Sequence, residues 1–164
     1  MIEVLTCIIS NKGYCLLSSG KIQDAIACAD MIGSYLAQLN EQHFSYDDFV
    51  IHTYFATLEF EMGHIDECRR QMDISTSALQ KISNYTAYAD DIHAYIQLAK
   101  KLDTISDLIV LLDAFIAQAE AVQATFYLFR FLLEERIECA RKINDESALI
   151  QYSLQLFRKL DVCM

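Results

Sequence analysis

The sequence predicts an all-α fold made of four helical hairpins that follow one another along the chain. A turn residue followed by an amphipathic segment recurs at Gly20, Gly63, Asp103 and Asn144, at spacings of 43, 40 and 41 residues. A fixed period of this length is typical of stacked helical repeats. The composition agrees, because the 164 residues include no proline and four glycines, and 54% are hydrophobic. Few turn-forming residues and many core-forming residues favour helices over a loop-rich fold.

Each repeat is expected to contain two helices, named here the A helix and the B helix, joined by a tight turn. Apolar residues in these segments recur at intervals of three and four, which is the spacing of a helix with one buried face. The repeats are predicted at about 2–40, 45–82, 85–120 and 122–161 of a single domain, 1–164, or of a fragment of a longer protein. The A helices are predicted at about 2–18, 46–62, 85–101 and 122–142, and the B helices at about 21–38, 64–81, 104–120 and 146–161.

The residues at the turns and at the helix starts follow from backbone chemistry. A tight turn between antiparallel helices often needs a residue in the left-handed region, which glycine adopts freely and asparagine or aspartate tolerates. The four turn residues meet this requirement. Ser45, Thr104 and Asp145 are predicted to cap helices with their side-chain oxygens. Asn84 begins a glycosylation sequon, but its position favours a helix cap.

Charge, hydropathy and cysteine usage exclude several classes of partner. The net charge is −10, whereas nucleic acids and anionic membranes are bound by basic surfaces. No run approaches the roughly 18 apolar residues of a membrane-spanning helix. The six cysteines form no CxxC pair and lie in apolar helical patterns, where thiols behave as small hydrophobic groups. We therefore expect a cytoplasmic, reducing location and neither a nucleic-acid nor a membrane partner.

The last repeat differs from the other three. Residues 126–133 place apolar side chains around the whole A helix, which predicts a helix buried on every side. The last B helix runs into an apolar end at 160–164, whereas the terminal repeat of a complete stack normally presents a polar outer face. This end predicts either a truncated piece of a longer protein or a homodimer formed through the C-terminal helices.

Residue patterns with known chemistry are absent from the chain. It contains no glycine-rich phosphate loop and no protease, esterase or kinase signature. His64 and Cys68 are one helical turn apart, but zinc takes three or four protein ligands and no third lies nearby in the sequence. The pair Asp90 and Asp91 near a helix start is interpreted as interacting with the helix dipole. We therefore expect no enzymatic activity, no cofactor and no metal.

The first repeat resembles the tetratricopeptide repeat. Gly13, Gly20 and Ala25 reproduce the small residue, the turn glycine and the second-helix alanine of that family, at offsets of seven and five. The chain departs from the family in its period, near 41 residues rather than about 34, and in lacking the early tryptophan and the closing proline. The resemblance implies a right-handed α–α superhelix in which the A helices line a concave groove. The corresponding positions of the later repeats are Ala56, Gly63 and Cys68, then Ile96, Asp103 and Leu108, then Ile137, Asn144 and Leu149.

This groove is the site that the resemblance implies for a protein or peptide partner. Some members of the family hold the C-terminal carboxylate of their partner with lysine, asparagine and arginine. The equivalent positions here include Ser10, Thr53 and Asp90, so that clamp is absent. Counting from the turns also places Ser10 and Thr53 on the groove face. The proposed groove residues are Tyr14, Leu17, Thr57, Phe60, His93, Gln97, Lys100, Glu138 and Arg141.

A second resemblance, over residues 151–160, is to the helical-repeat sensor segments that precede diguanylate cyclase (GGDEF) domains in bacteria. Two functions therefore stay open. The first is a non-enzymatic interaction or sensory module that binds a protein or peptide in its groove. The second is the N-terminal regulatory region of a bacterial signalling protein, with a GGDEF domain further along the chain.

Overall fold

In a computed structural model, the chain is described at residues 2–37, 48–79, 81 and 85–162, and these residues contain helices and turns but no strand. The all-α prediction is therefore confirmed. A 3-10 turn at Tyr85–Tyr88 precedes the fifth helix. The helices are α1 (Ile2–Ser18), α2 (Ile22–Leu36), α3 (Asp48–Glu61), α4 (Ile65–Leu79), α5 (Ala89–Leu102), α6 (Ile105–Ala121), α7 (Phe126–Lys142) and α8 (Glu146–Val162).

The eight helices fall into the predicted A and B pairs, with α1, α3, α5 and α7 as A helices. The chain divides into two compact units, residues 1–82 and 83–164, and the division falls between the second and third predicted repeats. Each unit contains two of the hairpins. The caps predicted at Ser45 and Asn84 lie outside the described residues.

Three of the four predicted turn residues adopt the left-handed conformation. The φ angles of Gly20, Gly63 and Asn144 are 71°, 81° and 55°. Asp103 contradicts the prediction, because its backbone is extended, with φ −97° and ψ 158°. Gln123, between α6 and α7, also adopts the left-handed conformation, with a φ of 51°. The sequence analysis did not predict this.

The extended backbone at Asp103 leads directly into a helix cap. The Thr104 hydroxyl accepts a hydrogen bond from the Asp107 backbone N–H at 3.3 Å. The Asp145 carboxylate accepts one from the Ala148 N–H at 3.0 Å. Both predicted caps are confirmed. The short α5–α6 turn therefore reaches its cap through an extended residue, and no left-handed residue is needed there.

In the first unit, α3 packs across both helices of the preceding hairpin. The fully buried ring of Tyr54 lies against Gly13 of α1, and its hydroxyl donates a hydrogen bond to the Ala25 carbonyl of α2 at 2.6 Å. A side chain at position 13 would overlap with this ring. Glycine is therefore required at this position because two helices approach each other closely. Ile9, Cys28, Ile32 and Ile51 complete the core around Tyr54.

The hairpin of α3 and α4 has a polar seam inside its apolar core. The Ser75 hydroxyl donates to the Phe49 carbonyl at 3.1 Å, so the Thr53 hydroxyl, 2.7 Å away, donates to Ser75. Thr53 and Ser10 are both fully buried. The placement of these two residues on an open groove face is therefore wrong, because each lies on the inner side of its A helix.

In the second unit the core is centred on α7. Leu128, Leu132 and Leu133 of this helix are fully buried. Tyr127, however, is 56% exposed. The prediction that α7 is buried on every side is therefore wrong, because the aromatic residues at its start include one that faces solvent.

The first turn of α5 carries Asp90 and Asp91, as predicted. Burial, reinforced by the charge of Asp90, raises the pKa of Asp91 from an ordinary 3.8 to about 6. The helix dipole does not compensate for this burial. The ionised form of Asp91 is therefore disfavoured in the folded protein, and the dipole interpretation is insufficient for this residue.

Replacing Asp91 by asparagine is expected to stabilise the protein near neutral pH. The unfolded chain releases this proton near pH 3.8 and the folded chain near pH 6, so the stability contributed by the protonated group is lost as the pH rises through this window. Asp91→Asn should raise the free energy of unfolding by at most about 3 kcal/mol above the window, and change it little below. Urea unfolding at both pH values measures this, with Asp66→Asn, at an exposed position in the first turn of α4, as the control. An equal effect at both pH values would contradict it.

His64 and Cys68, which are one helical turn apart, lie in different surroundings, and the other cysteines differ in their exposure. The imidazole Nδ1 of His64 lies 2.8 Å from the Glu59 carboxylate, while Cys68 is buried. Cys28 and Cys139 are buried as well, whereas Cys15 is exposed and does not behave as a core residue. Cys163 lies outside the described residues.

Candidate binding surface on the A helices

In the second unit, α5 and α7 lie side by side in parallel. The ring centroids of His93 and Phe131 are 4.2 Å apart, and the Gln97 amide donates to the Glu135 carboxylate at 3.2 Å. Both contacts join residues 38 positions apart in the sequence. A constant offset along two helices requires them to run in the same direction. This is the relation expected for A helices of successive repeats.

The Glu135 carboxylate is neutralised within this surface. The Lys100 ammonium lies 2.7 Å from one carboxylate oxygen and donates to the other at 3.0 Å. The side chains of Lys100 and Glu135 are both mostly buried, which protects their ion pair from solvent screening. Three predicted groove residues, His93, Gln97 and Lys100, therefore contact α7 and lie between the two helices.

Helix α7 also carries ion pairs on its solvent-exposed side. The Glu138 carboxylate lies 3.8 Å from Arg141 and 3.9 Å from Lys142. One turn earlier, Arg130 donates to Glu134 at 2.8 Å. These pairs are solvent-exposed and worth only a few tenths of a kcal/mol each. They leave the exposed side of α7 polar, with its positive and negative charges paired locally.

In the first unit, the predicted groove residues lie on α1 and α3, and all are partly buried. The Tyr14 ring packs edge-on against Tyr54, with centroids 5.3 Å apart. Leu17 packs against the core of the unit. The Thr57 hydroxyl bonds back to the Thr53 carbonyl at 2.9 Å, and Phe60 is half-buried.

In the second unit, the structure brings the predicted residues into two groups. His93, Gln97 and Lys100 form one group, and Glu138 and Arg141 form another. Sequence analysis did not identify Phe131 and Glu135 as their neighbours. The repeat period could have indicated them, because parallel A helices one repeat apart bring together residues separated by about one period.

A buried polar cluster on α6, α7 and α8 was also missed. Arg136 of α7 has a side chain only 7% exposed, and its Nε donates to the Asp113 carboxylate of α6 at 2.8 Å. The Tyr152 hydroxyl of α8 donates to the same oxygen at 2.7 Å. The guanidinium carbon lies 4.7 Å from the centroid of the Tyr152 ring. An arginine at the apolar spacing of α7 was the signal for this cluster.

Cys139 of α7 is buried near these groups. Burial raises the pKa of the Cys139 thiol, which keeps it protonated and poorly nucleophilic. Within the described ranges, no three histidine, cysteine or acidic side chains are grouped so that they could hold a metal ion. Among the same residues, no helix is both long and apolar enough to cross a bilayer.

Comparison with known proteins adds no identification. No protein-family model matches the chain, and neither a curated protein nor a solved structure shows significant similarity to it.

Proposed function

We propose that this protein is a non-enzymatic helical-repeat module that binds a protein or peptide segment on its A helices. The observation that carries the proposal is the parallel packing of α5 and α7, with half-buried His93, Gln97 and Phe131 between them. Parallel A helices from successive repeats create an elongated, shallow depression, which suits an extended or helical segment of a partner. The proposed location is cytoplasmic.

The proposal includes a right-handed α–α superhelix of the tetratricopeptide type. Its support is that α1 contacts α3 in the first unit and α5 contacts α7 in the second. A second support is the glycine at position 13, where the next A helix inserts a tyrosine ring against the preceding hairpin.

Affinity on this surface would come from a few central side chains. Because Lys100, Glu135 and Glu138 are already paired, the surface offers little unpaired charge. The aromatic ring of Phe131 and the imidazole of His93, 4.2 Å apart, are the groups best suited to contact an apolar partner side chain. Small sets of such contacts dominate most interfaces.

A random peptide library displayed on phage, selected against the whole chain, tests this function. Peptides that bind the native chain should lose affinity by at least about tenfold for the double variant His93→Ala/Gln97→Ala. The control is His64→Ala/Gln23→Ala, which changes the same residue types at exposed positions away from the A-helix surface. The proposal fails if no peptide is enriched, or if the selected peptides bind both double variants equally.

A second function is favoured by one specific observation. Ile150, Leu154 and Phe157 of α8 form an exposed apolar stripe, which suits a helix that connects to further protein. We propose, as the alternative, that this chain is the regulatory region preceding a bacterial diguanylate cyclase domain. Reading the gene beyond the codon for Met164 tests this directly. The same helix was also predicted to form a homodimer. Sedimentation equilibrium, which measures the mass of the chain in solution, distinguishes that homodimer from the regulatory-region proposal.

A further inference from the structure

Helix α8 packs against α7 but has few fully buried side chains. Among its described side chains, Ala148 is the one that is buried, whereas Leu149, Tyr152 and Leu156 are half-buried. Helix α7 is different, since Leu128, Leu132 and Leu133 are all fully buried. Segments with little buried apolar area open at a lower free-energy cost than the rest of a domain.

Polar groups provide the contacts that attach α8 to its neighbours. The Tyr152 hydroxyl donates to Asp113 of α6 at 2.7 Å, and the Gln155 amide donates to Glu120 of the same helix at 3.1 Å. The Lys159 ammonium lies 4.5 Å from the centroid of the Phe129 ring of α7. Such contacts are partly exchanged for water when a helix departs, so each favours the attached position by only about a factor of ten.

The outer face of α8 carries an apolar stripe. Ile150, Leu154 and Phe157 are 60%, 51% and 64% exposed. An amphipathic helix normally buries such a stripe. These three side chains therefore contribute little to the stability of the position that the helix occupies.

In the attached position of α8, the burial of Arg136 is unfavourable. Its Nη1 is buried, with no hydrogen-bond partner among the described residues. A buried donor without an acceptor is destabilising. The Tyr152 ring covers the guanidinium. Departure of α8 would therefore hydrate Arg136 and remove the free-energy cost of its unpaired donor.

We propose that α8 is a detachable helix, held against α6 and α7 by the latch of Tyr152, Asp113 and Arg136. The helix leaves as a unit, which breaks the Tyr152 hydrogen bond to Asp113, the Gln155 hydrogen bond to Glu120 and the contact of Lys159 with the Phe129 ring. The hydrogen bond from Arg136 to Asp113 joins α7 to α6 and stays in place. The remaining helices of the second unit keep the core centred on α7. The proposal concerns a motion of the fold and does not depend on the proposed function.

Hydrogen–deuterium exchange of the whole chain, followed by mass spectrometry, tests the latch. Amides of 149–158 should exchange at least about tenfold faster than amides of 131–140 under native conditions. Tyr152→Phe keeps the ring and removes the hydroxyl, and should accelerate exchange in α8 by a further factor of about ten. Exchange in α1–α4 should stay unchanged.

Tyr127→Phe is the matched control, because this tyrosine belongs to the same unit and faces solvent. It should leave exchange in α8 at the native rate. Equal protection of α8 and α7 in the native protein would overturn the proposal. So would a Tyr152→Phe variant whose α8 exchanges at the native rate, since the hydroxyl would then contribute nothing to attachment.

Discussion

Replacing Gly13 by alanine is expected to lower the free energy of unfolding by about 1–3 kcal/mol, although alanine is the better helix former. The added methyl group would overlap with the ring and the hydroxyl of Tyr54. That ring is fully buried and fixed by its hydrogen bond to the Ala25 carbonyl. Helix α3 must therefore move away from α1, or Tyr54 must lose its position. Urea unfolding followed by circular dichroism measures the change.

Gly33→Ala is the matched control for this prediction. Gly33 also lies inside a helix, but a methyl group there would meet nothing within 4 Å. This variant should raise the free energy of unfolding by about 0.5–1 kcal/mol. In a Tyr54→Leu background the effect of Gly13→Ala should shrink markedly. Equal effects at the two glycines would show that α1 and α3 do not approach as described.

Removing the Asp113 carboxylate is the second change with a large expected effect. Asp113→Ala leaves the Arg136 guanidinium, which is only 7% exposed, without its acidic partner. Breaking a buried pair on one side is strongly unfavourable, and we expect a loss of about 2–4 kcal/mol, reduced from the fully buried case because Asp113 itself is 40% exposed. Thermal or urea unfolding of the whole chain gives the value.

The double variant Asp113→Leu/Arg136→Met separates the loss of the pair from the cost of an unpaired charge. Replacing both partners by apolar side chains should recover most of the stability lost in Asp113→Ala. Asp30→Ala, at an exposed position of α2, should change stability by less than about 0.5 kcal/mol. A double variant as unstable as the single one would show that the cluster itself, rather than the unpaired guanidinium, matters for folding.

The helices and most of their ends could be predicted because they depend on local chemistry. Apolar spacing fixed the helical segments, and the left-handed turns at Gly20, Gly63 and Asn144 follow from the backbone freedom of those residue types. The error at Asp103 has a local cause too, because the cap at Thr104 removes the need for a left-handed residue. Two signals competed there, and the sequence alone did not rank them.

The parts that could not be predicted depend on which residues meet in space. The tight packing at Gly13 requires knowing that Tyr54 approaches it from the next repeat. The burial of Arg136 requires knowing that Asp113 and Tyr152 converge on it from two other helices. The buried Thr53 was misplaced for a similar reason, since a hydroxyl can face either a groove or an interior partner such as Ser75. Composition carries no information on such pairings, and the repeat period indicates only which A-helix residues are neighbours, not how closely they approach.

The central claim, that the A helices form the binding surface, is tested most directly by mapping a library-selected peptide with amide chemical shifts of the labelled chain. The account predicts perturbations concentrated on α5 and α7, with the largest near His93 and Gln97. Perturbations confined to the B helices α2, α4 and α6 would contradict it.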